Sequence, residues 1–338
     1  MKLLITGGAG FIGSNFVQHL NKTYPHYKVV IYDLLTYAGT SDTVEFLLQN
    51  PANTFMRGDI NDESLVVEAT KNVDVIVHFA AESHVDRAIV DPTQFLKTNV
   101  LGTATLLRAA RGNKVQRFHH VSTDEVFGAL GEDNFFSEAS PYAPRNPYSA
   151  SKAGSDHLVR AYYHTYGLPI TISNCSNNYG PRQFPEKIIP LFITNLMQSK
   201  KVPVYGEGKN VRDWIHVDDH SRALDMIVHS GRVGETYCIG GDTELRNTDL
   251  TMKILNSMHQ GEAMITYVPD RRGHDYRYAM DSSKIKTELG WKPQISFDTG
   301  LASTITWYQE HEGWWKSILD GSYLEQNDKV PYSSLARH

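Results

Sequence analysis

The chain has 338 residues, of which 41% are hydrophobic and 21% are charged, and its formal net charge is −5. This composition is typical of a folded globular protein long enough for two domains, and negative charge without a sustained Lys/Arg run argues against nucleic-acid or acidic-membrane partners. Cys175 and Cys238 are the only cysteines, so neither a disulfide framework nor a cysteine-based metal site is indicated. The sequence contains no 18-residue apolar run and no recognisable signal segment, so we expect a cytoplasmic protein.

Short apolar segments alternate with helix-length segments through the first half of the chain. We predict strands at residues 2–6, 28–33, 54–58, 73–79, 115–122 and 169–174, with helices at 11–20 and 92–111 among the segments between them. Near-continuous apolar strands are typical of a parallel sheet that is covered on both faces. The fold class that follows is α/β, with a Rossmann-type doubly wound parallel sheet.

The pattern changes from about Gly180, where prolines become frequent. Predicted elements at residues 216–230, 235–239 and 248–259 are shorter and less regular. We therefore predict a nucleotide-binding domain over residues 1–180, to which some later segments return. A smaller C-terminal α/β substrate-binding domain is predicted mainly over residues 181–330.

A glycine-rich segment, with Gly7, Gly10 and Gly13, follows the first predicted strand and opens the first helix. These glycines allow a tight turn and a close approach of a pyrophosphate to the N–H groups at the helix start. A phosphate-free turn is the alternative, but Asp33 ends the second strand 20 residues beyond Gly13, where an acid accepts hydrogen bonds from the adenosine ribose. That carboxylate would repel a 2′-phosphate and no arginine follows it closely, so NAD is favoured over NADP.

Two further segments follow predicted strands at the expected carboxyl edge of the sheet. Asp59 and Ile60 come after the third strand and would lie along the adenine, although Asp59 could equally be a helix N-cap. Ala80, Ala81 and Ser83 come after the fourth strand. Ligands bind at this edge in such folds.

Tyr148 and Lys152 form a Y-x-x-x-K pattern at the start of a predicted helix. The i, i+4 spacing places both side chains on one face. An ammonium beside a phenol lowers the pKa of the phenol, so we predict that Tyr148 is a base near neutral pH, and Lys152 could also bind the nicotinamide ribose. Alone, the pattern is more often a surface helix, but the glycine-rich segment favours catalysis.

Thr123, Asp124 and Glu125 follow the fifth predicted strand. Two adjacent acids after an apolar run are poor choices for stability alone. Neighbouring carboxylates disfavour each other's ionisation, so one can stay protonated as an acid while the other acts as a base. A solvated turn or a helix cap is the alternative, plausible for one of the acids and less so for both.

The sequence resembles a known family over nearly its whole length. The matching segments are TGGAGFIGS at 6–14, DLLTYAG at 33–39, HFAAESHVDRAI at 78–89, TNVLGT at 98–103, STDEVFG at 122–128, PYSASKAGSDHLV from 147, SNNYGPRQFPEKIIP at 176–190, VRDWIHVDDH at 211–220 and RRGHDYRYAMD at 271–281. They are similar to segments of the dTDP-glucose 4,6-dehydratases, lyases among the extended short-chain dehydrogenases/reductases. The Thr-Asp-Glu and FPEK segments are the most selective of these.

The resemblance implies a reaction in which bound NAD takes a hydride from C4 of the glucosyl unit and later returns it to C6. Tyr148 would be the base for the C4 hydroxyl, and Thr123 would hydrogen-bond the same hydroxyl. Glu125 would remove and return the C5 proton, and Asp124 would protonate the departing C6 hydroxyl. The product, dTDP-4-keto-6-deoxyglucose, is an intermediate of deoxysugar biosynthesis.

The resemblance also implies binding roles. The implied NAD contacts are Gly7, Gly10, Phe11, Ile12, Gly13, Asp33, Leu34, Thr36, Asp59, Ile60, Ala80, Ala81, Ser83, Thr98, Tyr148, Lys152 and Asn178. The implied nucleotide-sugar contacts are Ser83, Thr123, Asn177, Lys187, Ile188, Pro203, Tyr205, Arg212, Asn247 and His274. Lys187 and Arg212 could neutralise a diphosphate, although a surface ion pair is the alternative for either.

Some conspicuous residues are expected to be structural. His119 and His120 are adjacent in a predicted strand, so their side chains point to opposite faces and would not converge on one ion. We expect no metal site. Two positions depart from the family: Phe127 stands where tyrosine is usual, and Arg272 stands where proline is common.

Several alternatives stay open. A UDP-sugar 4-epimerase or a UDP-glucuronate decarboxylase would share the Tyr-Lys-NAD unit but would not use an acid–base pair at C5 and C6, so Asp124 discriminates. A non-catalytic NAD-binding protein is disfavoured by the intact Tyr148, Lys152 and acid pair. UDP-glucose is an alternative to dTDP-glucose as substrate. The family implies a homodimer, with the helical segments at 92–111 and 149–166 as candidate interfaces.

Overall fold

The structure, a computed structural model, describes residues 1–270 and 274–333, so the departure at Arg272 lies outside the described residues. The strands are β1 (Lys2–Thr6), β2 (Lys28–Asp33), β3 (Asn53–Arg57), β4 (Val75–His78), β5 (Arg117–Thr123), β6 (Ile170–Cys175), β7 (Asn177–Tyr179), β8 (Val202–Tyr205), β9 (Val211–His216), β10 (Thr236–Ile239), β11 (Glu244–Arg246) and β12 (Ile265–Val268). The α-helices are α1 (Phe11–Thr23), α2 (Ser41–Leu47), α3 (Glu63–Ala69), α4 (Val85–Val90), α5 (Pro92–Phe95), α6 (Thr103–Gly112), α7 (Pro147–Tyr166), α8 (Ile188–Met197), α9 (Val217–Ser230), α10 (Asn247–Ser257), α11 (Ser283–Leu289), α12 (Phe297–Glu310), α13 (Glu312–Asp320) and α14 (Ser322–Lys329).

A seven-stranded parallel sheet with β1 near its middle forms the larger part of the molecule, in the order β3-β2-β1-β4-β5-β6-β10. Successive side chains of β1 serve opposite faces, as strand geometry requires. Leu3 and Ile5 belong to the same core as Phe16 of α1, whereas Leu4 belongs to a second core with Leu106 of α6. Helices cover both faces, and the predicted Rossmann-type fold is confirmed.

The smaller part of the molecule holds a three-stranded sheet (β11-β9-β7) and a two-stranded sheet (β12-β8). Its core includes Ile189 and Phe192 of α8, Trp214 of β9 and Leu250 of α10. Two elements beyond residue 180 belong instead to the larger sheet and its cover. Strand β10 pairs with β6, and α9 packs against α1.

The helical segment expected at 92–111 is interrupted by a π-helical stretch, Leu96–Gly102, between α5 and α6. The wider turn buries Asn99, whose amide donates to the carbonyl of Glu82 at 3.0 Å and to the hydroxyl of Ser151 at 2.8 Å. The Asn99 side chain also accepts from the N–H of Glu82 at 2.9 Å. It thereby joins the segment after β4 to helix α7.

The strand order reverses at β1, because the chain goes outward through β2 and β3 and then returns to β4 on the other side. Ligands bind in such sheets at the carboxyl ends of the strands that flank the reversal. These ends are in close contact here, since a Cβ atom on Gly7 would lie 2.6 Å from the nitrogen of Ala80. In the described parts of the chain, each helix is too short or too polar to cross a membrane.

Candidate active site

A cavity of about 340 Å³ opens at the carboxyl edge of the parallel sheet. Its lining includes every residue for which an NAD contact is predicted, together with the five predicted catalytic residues. Four predicted nucleotide-sugar contacts also line it: Ser83, Thr123, Asn177 and Lys187. Segments that are far apart in the sequence therefore meet in one crevice.

The glycine-rich segment fits a dinucleotide phosphate. Gly7 has a φ of +69°, and a Cβ atom on Gly13 would collide with the Gly7 carbonyl oxygen, so the chain itself needs glycine at both positions. Gly10 differs, because a Cβ there would meet only the Gly7 oxygen, at 3.3 Å. No side chain caps the first N–H groups of α1. Bare backbone at a helix start suits an anionic group, so the residues present fit NAD.

Asp33 is fixed beside that turn. One carboxylate oxygen accepts from the N–H of Ala9 at 3.0 Å, and the other accepts from the N–H of Leu35 at 2.8 Å. Burial raises the pKa of Asp33, and these N–H donors oppose the rise. Since each oxygen has a second lone pair, the carboxylate can also accept hydrogen bonds from ribose hydroxyls.

Asp59 and Ile60 line the same crevice beyond β3. Asp59 accepts hydrogen bonds from the backbone and side-chain amides of Asn61, at 2.8 and 2.9 Å. The cap of α3 is Asp62, so the alternative role of Asp59 as a helix N-cap is wrong.

Tyr148 and Lys152 lie in the first turns of α7, which begins with a capping box. The Asn146 side chain accepts from the N–H of Ser149, and the Ser149 hydroxyl accepts from the N–H of Asn146. Both predicted catalytic side chains are buried. The Lys152 ammonium donates to the Val121 carbonyl oxygen at 2.9 Å, which joins the helix to the end of β5.

The prediction that the pKa of Tyr148 lies near neutral pH does not hold for the protein chain by itself. Burial raises the pKa of Tyr148 well above its ordinary value, the charge of Glu125 adds to the rise, and a hydrogen bond with Thr123 opposes it. Burial also lowers the pKa of Lys152, although the Asp156 carboxylate opposes that change. The i, i+4 spacing in the sequence carries no information on burial, so it could not indicate that burial raises the pKa of Tyr148.

Asp124 and Glu125 occupy a tight turn after β5. The Thr123 hydroxyl accepts from the N–H of Glu125 at 3.3 Å and donates to Asp124 at 3.2 Å. Burial, followed by the charge of Glu125, raises the pKa of Asp124 well above its ordinary value, and the Arg212 charge opposes this. Glu125 is only partly buried and accepts from the Asn146 amide at 3.3 Å. These directions agree with a pair in which Asp124 is the protonated member.

Six predicted nucleotide-sugar contacts are not among the described residues that line this cavity: Ile188, Pro203, Tyr205, Arg212, Asn247 and His274. Arg212 is buried in β9, and its guanidinium donates to the carbonyl oxygens of Asp275 and Tyr276. Tyr205 lies edge-on to His274, with ring centroids 6.4 Å apart. Lys187 lines the cavity, and its ammonium donates to the Ser83 carbonyl oxygen at 3.4 Å. The diphosphate contact of Arg212 stays a prediction.

Glu82, Phe184 and Glu186 are among the other side chains that line the cavity, and no contact was predicted for them. Glu186 lies 3.7 Å from the side-chain nitrogens of both His84 and Arg87. Burial raises the pKa of both Glu82 and Glu186. Their positions inside the matching ESHVDR and FPEK segments were the available signal.

The adjacent histidines have different partners. His119 hydrogen-bonds Thr171 at 2.9 Å, whereas His120 lies 3.1 Å from Asp156. Burial lowers the pKa of both imidazoles, that of His120 to about 4. Over residues 1–270 and 274–333, no group of three or more His, Cys, Asp or Glu side chains is arranged to hold a metal ion.

The fold and the crevice together define a class of protein. A Rossmann-type sheet, a glycine-rich turn that fits a dinucleotide, and a buried Tyr-Lys pair on the bordering helix are the parts of an NAD-dependent enzyme of the short-chain dehydrogenase/reductase type. The adjacent acids at 124 and 125 line the same crevice.

Comparison with known proteins narrows the class. A family model described as GDP-mannose 4,6 dehydratase matches residues 4–304. The chain is 49% identical to a dTDP-glucose 4,6-dehydratase of Xanthomonas campestris pv. campestris (strain B100), over 95% of this chain and 96% of the relative. Among solved structures, DesIV, a dTDP-glucose 4,6-dehydratase of Streptomyces venezuelae with NAD and dTDP bound, is 50% identical with a TM-score of 0.92, covering 94% of this chain and 100% of that one.

A further solved structure, a dTDP-glucose 4,6-dehydratase of Bacillus anthracis str. Ames in complex with NAD, is 45% identical with a TM-score of 0.88, covering 94% of this chain and 99% of that one. The chain belongs to the dTDP-glucose 4,6-dehydratase family. NAD is the cofactor of this family.

Proposed function

We propose that the protein is an NAD-dependent hydro-lyase that converts dTDP-glucose into dTDP-4-keto-6-deoxyglucose and water. The observation that carries this proposal is the position of the buried Asp124 carboxyl beside Glu125, in the same crevice as Tyr148 and the dinucleotide turn. Burial raises the pKa of that carboxyl, which suits a proton donor. When bound, NAD supplies the positive charge of the oxidised nicotinamide, accepts a hydride from C4 and returns it to C6.

Binding falls to the two ends of the crevice. The N–H groups at the start of α1 face the pyrophosphate, because Gly10 leaves the approach to them open. Asp33 accepts from the adenosine ribose, and Lys152 donates to the other ribose from its place beside the Val121 carbonyl. Lys187, at the cavity wall, is the cation for the sugar-nucleotide diphosphate.

The first proton transfer is at the C4 hydroxyl. Its proton passes to the Tyr148 oxygen, and Thr123 hydrogen-bonds the same hydroxyl. Because burial holds the phenol in its protonated form, positive charge in the crevice is needed to make the phenolate. Lys152 is the chain's own source of that charge, one helical turn away.

The elimination uses the two acids. The 4-keto group acidifies C5, and the Glu125 carboxylate takes the C5 proton while a C5–C6 double bond forms and the C6–O bond breaks. Asp124 donates the proton with which the hydroxyl leaves as water. Glu125 then returns its proton to C5. Over one cycle Tyr148 gains a proton and Asp124 loses one, so exchange with solvent restores both.

An epimerase on this scaffold is the second candidate. It would use Tyr148 and Lys152 but not a protonated carboxyl at C6. Burial disfavours the charged carboxylate and raises the pKa of Asp124. A neutral carboxyl at this place is a proton donor for the C6 hydroxyl, which supports the dehydratase. For the nucleotide, dTDP is preferred on the strength of the relatives, and UDP-glucose is the alternative.

We also propose a cytoplasmic homodimer that pairs through the helical segment at 92–111. Large apolar side chains are exposed along it and just before it, with Val90 86%, Leu96 51% and Leu101 58% exposed. Three large apolar side chains exposed within twelve residues support an interface at this segment. Light scattering after gel filtration tests this: a Leu101→Glu variant should shift from dimer to monomer, and a wild-type monomer would contradict the proposal.

The activity is tested by incubating the purified protein with dTDP-glucose, without added cofactor, and measuring the mass of the nucleotide sugar by mass spectrometry. We expect the loss of one water. A parallel incubation with UDP-glucose ranks the two nucleotides. An unchanged mass with both substrates, from protein that retains NAD, would rule out the dehydratase and favour an epimerase.

A further inference from the structure

The last described residues, 322–333, lie against the adenosine side of the crevice. We call helix α14 together with residues 330–333 the C-terminal clamp. Its neighbour is the loop at residues 34–41, which follows Asp33 directly. This loop supplies four residues to the cavity lining: Leu34, Thr36, Ala38 and Gly39.

The side chain of Asn327, in the C-terminal clamp, hydrogen-bonds backbone groups of the loop. The side chain is 1% exposed, and its oxygen accepts from the N–H of Ser41 at 2.8 Å. Its amide donates to the carbonyl oxygens of Gly39, at 2.8 Å, and Leu35, at 3.4 Å. One buried side chain thus satisfies three backbone groups of a loop that carries predicted cofactor contacts.

A second set of contacts reaches the end of β3. The Arg57 guanidinium donates to the Asn327 carbonyl oxygen at 2.7 Å and to the Leu34 carbonyl oxygen at 3.2 Å. The Tyr332 hydroxyl accepts from the N–H of Asp59 at 3.1 Å. The clamp therefore fixes both walls of the adenosine side, the loop after Asp33 and the turn at Asp59.

The loop has a reason to need this support. Leu35 has a φ of +57°, in the left-handed region that non-glycine residues rarely adopt. Such a conformation persists only where the surrounding structure imposes it. If the loop were free, NAD would have to order it on binding, and that ordering would weaken the affinity.

We propose that the C-terminal clamp is a part of the NAD site, in which Asn327 and Tyr332 are positioning residues that set the affinity for NAD. The inference rests on the proposed function, because it takes this crevice to bind NAD. It assigns to the end of the chain a role that none of the matching motifs contains. The side-chain hydrogen bonds of Asn327 and Tyr332 are made with Leu35, Gly39, Ser41 and Asp59, at the adenosine side of the cavity.

The test compares full-length variants stripped of NAD. Asn327→Ala removes the three loop hydrogen bonds, Tyr332→Phe removes the contact with Asp59, and Gln326→Ala is the matched control, since Gln326 is the exposed neighbour on α14. Calorimetry gives the Kd for NAD, and the KM for dTDP-glucose is measured at saturating NAD. We expect the Kd of Asn327→Ala to rise about tenfold or more, and that of Tyr332→Phe by about threefold, with the sugar-nucleotide KM within twofold of wild type.

Other outcomes are distinguishable. Wild-type affinity for NAD in Asn327→Ala and Tyr332→Phe would overturn the inference while leaving the proposed function intact. A parallel rise in the Kd for NAD and the KM for dTDP-glucose would also overturn it, because it would indicate general loosening. Failure of the wild-type protein to bind NAD would overturn the proposed function and this inference together.

Discussion

The glycine-rich turn makes a sharp prediction, because two of its glycines are required for different reasons. Alanine at position 7 must hold a φ of +69° and place its Cβ 2.6 Å from the Ala80 nitrogen. Left-handed backbone strain alone costs about 1–3 kcal/mol, and the backbone contact adds to it, so we expect Gly7→Ala to lose at least about 3 kcal/mol of unfolding free energy.

Alanine at position 10 meets only the Gly7 oxygen, at 3.3 Å, and the backbone there has a φ of −78°, which alanine adopts readily. Exchanging glycine for alanine at a helix N-cap costs about 1 kcal/mol or less, so Gly10→Ala should fold almost as stably as wild type. Its methyl group, however, would occupy the surface where a pyrophosphate lies. We expect its affinity for NAD to fall by at least about tenfold, or about 1.4 kcal/mol.

Urea denaturation of NAD-stripped protein measures the first quantity, and calorimetric titration with NAD measures the second. The expected pattern is a large stability loss in Gly7→Ala and a selective affinity loss in Gly10→Ala. Equal stability losses in the two variants would refute the steric reasoning. Tight NAD binding by Gly10→Ala would refute the placement of the pyrophosphate against this turn.

Four further predictions concern Asp124, Tyr148 and the carboxylate that faces Lys152. Asp124→Asn should lower kcat by about 10³, or about 4 kcal/mol, as expected for loss of a general acid. Absorbance of NADH at 340 nm should build up, because C4 oxidation is intact in this variant. Glu132→Gln, at an exposed position, is the control, and a near-normal kcat for Asp124→Asn would contradict the role of Asp124 as the acid. Since the pKa of Asp124 is raised in the fold, its ionisation costs stability as pH rises, so Asp124→Asn should be at least as stable as wild type at pH 8. In NAD-stripped protein, the phenolate absorbance difference between wild type and Tyr148→Phe should appear only above pH 10. Addition of NAD should move this difference to lower pH. A midpoint below pH 8 before NAD is added would show that burial is not the main influence on the pKa of Tyr148. Asp156→Asn removes the carboxylate that raises the pKa of Lys152. If loss of the Lys152 charge sets the alkaline limb of the plot of kcat/KM against pH, that limb should move to lower pH by about one unit. An unmoved limb would show that the charge of Lys152 does not depend on Asp156.

The sequence was informative where function depends on local pattern. The run of apolar residues at 2–6, the glycines behind it and Asp33 at the end of the next strand are each defined within a few positions, so both the parallel sheet and the dinucleotide crevice could be predicted. The acid pair and the Y-x-x-x-K pattern were equally local. The structure brings the three glycines, Asp33, the acid pair and the Tyr-Lys pair into one cavity.

What escaped prediction depends on contacts between distant segments. Nothing near Asn327 in the sequence indicates that its amide closes on the loop after Asp33. Likewise, nothing near Arg212 in the sequence indicates that its guanidinium donates to the carbonyl oxygens of Asp275 and Tyr276. Both sets of hydrogen bonds join segments that are far apart in the sequence, and hydrophobic periodicity carries no signal for such contacts.

The pKa of Tyr148 belongs to the same group of failures, and its direction bears on the order of the reaction. Burial acts on Asp124, Tyr148 and Lys152 in one sense, since it favours the neutral form of each. In the proposed mechanism Asp124 acts in its neutral form, so burial prepares it as the acid before substrate binds. Tyr148 is proposed as a base, which must first lose its proton, and burial opposes that loss. We therefore expect proton removal from the C4 hydroxyl only in the NAD-bound protein, where the positive charge of the oxidised nicotinamide would favour the phenolate.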